Sequence, residues 1–261
     1  MKKDLKKIFN LMFEKLELIS IGDNFINDIN KRRSVCLDKN KPDSFFYEML
    51  VVDIHVSGFK VSILRDRWSD IRKAFSDYDV CRVSQYTDRD LEKMMNNPRI
   101  IKNKNKLKAC IENAKLIKEI SNKYGSFGNY LNKYSNNPEK LIKELINNFH
   151  YMGKVSALNY LNMIGMDAVK PDVHVIRIMY RLGLIDSDKG SPEDVEQSIE
   201  VANEIKNLTG EKLKVVDAIF WMYGGGGDNH VKKAICSKQK PLCCECPLTD
   251  YCDFFKSQKI E

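Results

Sequence analysis

Apolar residues recur along most of this chain at helical spacing. Leu107, Cys110, Ile111, Ala114 and Ile117 fall on one buried helix face, and Leu141, Ile142, Leu145, Ile146 and Phe149 repeat the pattern. Helix starts are marked by Thr87 with Asp90 three residues on, by Asn137-Pro138-Glu139, and by Ser191-Pro192-Glu193-Asp194. A basic amphipathic helix at residues 4–18 opens the chain. No stretch alternates convincingly as a strand, and there is no repeat or low-complexity linker, so the pattern predicts a nearly all-α chain. Between two helical patterns, Phe149-His150-Tyr151-Met152-Gly153-Lys154-Val155-Ser156-Ala157 makes a short turn, and the next helix runs from Val155 to Ile164. This reads as helix, hairpin, helix, with Gly153 at the tight position. The backbone N–H groups of such a turn form a phosphate site, to which Lys154 and Ser156 add charge and a hydroxyl. An ordinary αα-hairpin is the plainer reading.

Composition narrows the class without choosing a function. The chain has 261 residues, 43% of them hydrophobic and 30% charged, which suits one large domain or two packed lobes. No run approaches the ~20 apolar residues of a membrane span. The basic start Met1-Lys2-Lys3 lacks the apolar core of a signal peptide. Eight cysteines without an export signal point to a reducing cytoplasm, with Cys36, Cys81 and Cys110 expected as buried thiols. The net charge of +7 is compatible with a polyanionic partner but does not establish one. The densest basic run, residues 102–108, reads equally as helix surface or phosphate contact.

Four cysteines carry the most specific chemistry. Cys236, Cys243, Cys246 and Cys252 are spaced C-x6-C-x2-C-x5-C. Thiolates so close favour a shared metal over structural disulfides. Only the middle step is short, unlike the paired knuckles of most four-cysteine zinc sites, and this favours a compact [4Fe–4S] cluster over zinc. Cys244 lies inside the loop and outside the pattern, as a spare thiol. Upstream, Gly224 to Gly227 read as a flexible turn near the loop.

With its Lys240-Pro241 and Cys246-Pro247-Leu248 context, the cysteine loop resembles that of the endonuclease III and MutY branch of helix-hairpin-helix DNA glycosylases. Lys170-Pro171-Asp172-Val173-His174-Val175-Ile176-Arg177 is similar to the segment of that branch in which the Asp is catalytic. Read alone, Asp172 is a helix cap. The first half looks different. Arg72-Lys73-Ala74-Phe75, Asn97-Pro98-Arg99, Ile111-Glu112-Asn113-Ala114 and the hairpin Phe149-x-Tyr151-Met152-Gly153 resemble 3-methyladenine DNA glycosylase I, the Tag family. The resemblances together imply an all-α, two-lobed helix-hairpin-helix glycosylase fold with a C-terminal [4Fe–4S] loop. They place a helical barrel at residues 43–165, and a second lobe at 1–42 plus 166–261.

The resemblances also imply roles. Asp172 becomes the catalytic carboxylate, Gly153, Lys154 and Ser156 the DNA backbone contacts, and Cys236, Cys243, Cys246 and Cys252 the cluster ligands. Asp53 falls near the base-reading acid of the Tag family, and His55 falls in the loop where endonuclease III-like enzymes fill the hole left by the extruded base. Val61 or Lys60 stands where the Tag pocket has a Trp, and the zinc site of that family has no counterpart. The bifunctional branch places its Schiff-base Lys where this chain has Val155. The expectation is a cytoplasmic, nucleoid-associated, monomeric and monofunctional glycosylase. It would flip damaged bases, 3-methyladenine above all, out of double-stranded DNA. An oxidised- or mismatched-base glycosylase and a non-catalytic DNA-binding protein are the alternatives, as is a zinc-stapled helical interaction protein.

Overall fold

Pairs of hydroxyl and carboxylate side chains set where helices begin. The backbone N–H of Thr87 donates to Asp90 Oδ2 at 3.0 Å. Ser191 and Asp194 close a reciprocal box, with the Ser191 N–H on Asp194 Oδ2 at 2.8 Å and the Asp194 N–H on Ser191 Oγ at 3.1 Å. Asn137 caps the next start, with Pro138 in the first turn, where its missing N–H costs nothing. Gly125 and Gly210 end their helices in the left-handed conformation.

The computed structural model describes residues 3–58, 64, 66–226 and 229–258. In chain order the helices begin with α1 (Leu5–Leu18), α2 (Asn24–Ser34) and α3 (Asp43–Val56). Next come α4 (Trp68–Ala74), α5 (Val80–Val83), α6 (Asp88–Asn96) and α7 (Lys104–Tyr124). They are followed by α8 (Phe127–Asn132), α9 (Pro138–Asn148) and α10 (Lys154–Met163). The last are α11 (Val173–Arg181), α12 (Pro192–Thr209), α13 (Leu213–Gly225) and α14 (Asp253–Gln258). No strand occurs among the described residues, beyond an isolated bridge between Ser20 and Val231. None of the described helices is long and apolar enough to cross a membrane.

Two compact units form, one from Cys36–Met166 and the other from Met1–Val35 with Asp167–Glu261. In the first, α7 is the central helix and packs against α3, α5, α6 and α8. Its Leu107, Cys110, Ile111, Ala114 and Ile117 are buried, as their spacing requires. In the second, the apolar α13 is central, packed by α1, α2, α11 and α12.

Several details differ from the sequence-based expectation. Cys110 is buried, but Cys36 and Cys81 are exposed. The glycine run is not a loose turn. Gly224 and Gly225 lie in α13, where a Cβ on Gly224 would meet Ile178 Cδ1 at 2.8 Å and one on Gly225 would meet the His174 ring at 3.0 Å. Glycine therefore lets α13 approach α11 more closely than any side chain permits. Gly227, Lys60 and Val61 lie outside the described residues. Of the basic run, Lys106 is buried and its ammonium binds the carbonyls of His55 and Ser57 at the end of α3. This is helix capping by a cation.

Candidate functional site

Within the unit Cys36–Met166, the hairpin between α9 and α10 is held from behind. Asn113, on α7 and fully buried, donates Nδ2–H to the His150 carbonyl at 3.0 Å and accepts the His150 N–H on Oδ1 at 2.8 Å. This two-way amide clamp fixes the chain where the turn begins. The left-handed residue is Tyr151, with φ 60°, while Gly153 is extended at φ −87° and ψ 176°. The tight position is thus Tyr151, not Gly153. Tyr151 is also half-exposed, so a non-glycine residue in a costly conformation shows its ring to solvent. Gly153 is the N-cap of α10, and a Cβ there would meet nothing within 4 Å. As a glycine, Gly153 brings no side chain to cap the first turn of α10. Lys154 opens the helix, with Val155 and Ser156 in its first turn.

Asp53 and His55 are not brought together. They are two residues apart on α3, so they point roughly 200° apart around the helix. Asp53 is buried, and its Oδ1 accepts a short hydrogen bond from Asn159 Nδ2 on α10. His55 lies inside α3 rather than in a loop and is 1% exposed. Its Nδ1 donates to the Val51 carbonyl at 2.7 Å, its ring meets Phe75 edge-on, and Nε2 has no hydrogen-bond partner among the described residues. Burial lowers the His55 pKa to about 4, with the Val51 bond opposing and Lys106 adding to the shift.

In the other unit, Asp172 caps α11. Its Oδ1 accepts the N–H groups of His174 at 2.8 Å and Val175 at 3.2 Å, and Oδ2 takes part in neither bond. The Asp172 N–H reaches the Lys170 carbonyl at 2.7 Å, and the Lys170 N–H in turn donates to Asp217 Oδ1 on α13, also at 2.7 Å. Burial pushes Asp217 up to about 7, opposed by the Lys170 hydrogen bond and Arg32 and assisted by Asp172. The sequence marks Asp217 only as one acid in the apolar run Val215-Val216-Asp217-Ala218-Ile219-Phe220.

The far end of α11 meets the cysteine loop. Arg177 is buried and binds the carbonyls of Gly224 at 2.8 Å and Cys236 at 3.1 Å. Arg181 donates to Cys236 Sγ at 3.2 Å and to the Ser237 carbonyl at 2.8 Å, and its guanidinium lies 4.3 Å from the Phe254 ring centroid. The Tyr223 hydroxyl is 3.0 Å from Cys246 Sγ. Burial pushes the thiols of Cys243, Cys246 and Cys252 up, and each is raised further by neighbouring cysteines of the set. Cys236, Cys243, Cys246 and Cys252 are each half-buried, while Cys244 is exposed. Among the described residues, no three His, Cys, Asp or Glu groups are placed to hold a metal ion.

The fold is that of the helix-hairpin-helix DNA glycosylases. The chain superposes on the structure of a trapped endonuclease III–DNA covalent intermediate with a TM-score of 0.61 at 14% identity, covering 99% of this chain and 100% of that one. The 8-oxoguanine DNA glycosylase of Thermotoga maritima gives 0.58 at 16% identity, over 84% of this chain and 98% of that one. Residues 38–187 match the model of the methyladenine glycosylase family, and the chain belongs to that family. In sequence it is also 31% identical to Endonuclease III of Rickettsia felis over 133 residues, 51% of this chain and 53% of that protein. The matched region thus spans about half the length of this relative.

The buried imidazole has a consequence for stability. Between pH 6.5 and about 4 the unfolded chain takes up a proton at His55 that the folded chain refuses. Stability is therefore lost as pH falls through that window and is unaffected above it. The loss is on the order of 3 kcal/mol at the acid end. Denaturant unfolding at about pH 7 and about pH 4.5 should show a smaller acid loss in His55→Gln than in the wild type. Equal losses would contradict the assignment.

Proposed function

We propose that this protein is a monofunctional DNA glycosylase that excises alkylated bases of the 3-methyladenine type from double-stranded DNA. The observation that carries the reading is the family match over residues 38–187, which contains both the hairpin and Asp172. Phosphate binding at the hairpin accounts for Gly153. Its backbone angles suit any residue and nothing among the described residues crowds it, so the glycine is best explained by close approach of a ligand to the backbone. The first turn of α10 offers N–H groups and positive dipole to that ligand, and Lys154 and Ser156 add charge and a hydroxyl. These contacts hold the DNA backbone without reading sequence.

The damaged nucleotide is turned out of the stack, at least cost where pairing is already weak. Asp53, held by Asn159, is the base-reading candidate. The Asp172 carboxylate faces the positive charge that grows on the deoxyribose as the base leaves, and it orients the attacking water. Ring methylation already weakens the glycosidic bond, so little further catalysis is needed. With Val155 at the position of the bifunctional Lys, no Schiff base forms and the strand is left uncut. The Endonuclease III relatives and Asp172 support a second reading, removal of oxidised or mismatched bases.

Cys236, Cys243, Cys246 and Cys252 would hold a [4Fe–4S] cluster. A four-iron cluster seats each thiolate on its own iron, and the C-x6-C-x2-C-x5-C spacing supplies four thiolates from one short loop. The Arg181 N–H and the Tyr223 hydroxyl at the sulfurs suit charged thiolates. When bound, the cluster supplies a rigid staple for the loop; hydrolysis of the glycosidic bond requires no electrons.

Asp172→Asn tests the catalytic role cleanly, because asparagine caps helices as well as aspartate does. Release of methylated bases should fall roughly a hundredfold or more while duplex binding persists. Unchanged release would remove Asp172 from the mechanism, and no release by wild type on any lesion would favour a DNA-binding module. Protein purified without oxygen should be brown, with iron and sulfide in equal amounts, and Cys252→Ser should lose the colour. A colourless protein holding zinc would overturn the cluster assignment.

A further inference from the structure

We propose that Asp217 is a positioning residue for Asp172, acting through the main chain of Lys170. This rests on the reading of Asp172 as the catalytic carboxylate. The connection is short and specific. Asp217 Oδ1 accepts the Lys170 N–H at 2.7 Å, and the Lys170 carbonyl accepts the Asp172 N–H at 2.7 Å. Between them lies Pro171, whose ring fixes its own backbone angle. Asp172 then spends its Oδ1 on the N–H groups of His174 and Val175. The carboxylate is thereby held at both ends of a three-residue bridge, by α13 through Lys170 and by α11 through its own cap.

Nothing in the helical pattern calls for an acid at this position. Asp217 is itself half-buried, between the buried Val216 and Ala218 on the central helix of its unit. A carboxyl here is costly unless its hydrogen bond does something an apolar residue would not. Arg32, Lys170 and Asp172 are the charged groups that act on it. Its pKa of about 7 means that an amide is a fair replacement for the carboxyl at neutral pH. Asparagine keeps an oxygen that accepts the Lys170 N–H, whereas alanine leaves that N–H without the bond. A displaced carboxylate lowers the rate of the chemical step and leaves the DNA contacts alone.

The test is single-turnover base release from methylated duplex DNA by the whole protein, with thermal unfolding measured alongside. Asp217→Ala should lower the maximal rate by about tenfold or more, with the DNA concentration at half-maximal rate changed by less than about twofold. Asp217→Asn should restore the rate to within about threefold of wild type. A merely structural residue would move the unfolding temperature without this split and rescue. A wild-type rate in Asp217→Ala, or an Asp217→Asn rate as low as that of alanine, overturns the proposal. Asp172→Asn run in parallel separates the two readings. If it is inactive while Asp217→Ala is unimpaired, only the positioning role fails; if it is fully active, the catalytic reading fails and the positioning role with it.

Discussion

A single short helix, Val173–Arg181, ties the proposed chemistry to the cysteine loop. Asp172 caps its start, Arg177 is buried in its middle, and Arg181 reaches Cys236 Sγ from its last turn. Arg177 is the constraint on which the rest depends. A buried guanidinium must satisfy its donors, and here they are taken up by the carbonyls of Gly224 and Cys236. That requirement brings the end of α13 and the start of the cysteine loop against α11, and Gly224 and Gly225 leave the space for them. Any group held by the four cysteines would therefore brace the helix that presents Asp172. A structural role for such a group follows without electron transfer.

The Cys36–Met166 unit uses a different device for a similar end. Asn113 clamps His150 with two hydrogen bonds, and the strained turn at Tyr151 follows immediately. Asn113 belongs to the Tag-like stretch Ile111-Glu112-Asn113-Ala114, so that likeness has a mechanical content: it shapes the hairpin. The match to the methyladenine glycosylase family, residues 38–187, covers this hairpin and stops short of the cysteine loop.

Much of the fold is legible in the sequence because helix periodicity and caps are local. Thr87, Asn137 and Ser191 announce their helices, and the apolar face of α7 is where its spacing puts it. The cap at Asp172 is equally readable, since Asp before an amphipathic segment has few other local uses. What escapes is settled by partners distant in sequence. Lys106 looks like a member of a basic surface run, and only the end of α3 makes it a buried cap. Glycines 224–226 look like a loose turn, and only α11 and the turn after α13 make them a packing surface. His55 reads as a loop residue, and only the structure puts it inside α3 with Phe75 and the Val51 carbonyl at its ring. Asp217 carries no local signal beyond being an acid among apolar neighbours, and its hydrogen bond to Lys170 spans 47 residues.

The most direct measurement is the product released by the wild-type protein, purified without oxygen, from duplexes carrying methylated, deaminated, oxidised or mismatched bases. Each duplex would be scored for strand breakage before and after alkali. The account predicts release of 3-methyladenine, with breakage only after alkali. Preferential release of an oxidised pyrimidine, or breakage without alkali, would contradict it and place the chemistry with the endonuclease III-like half of the molecule.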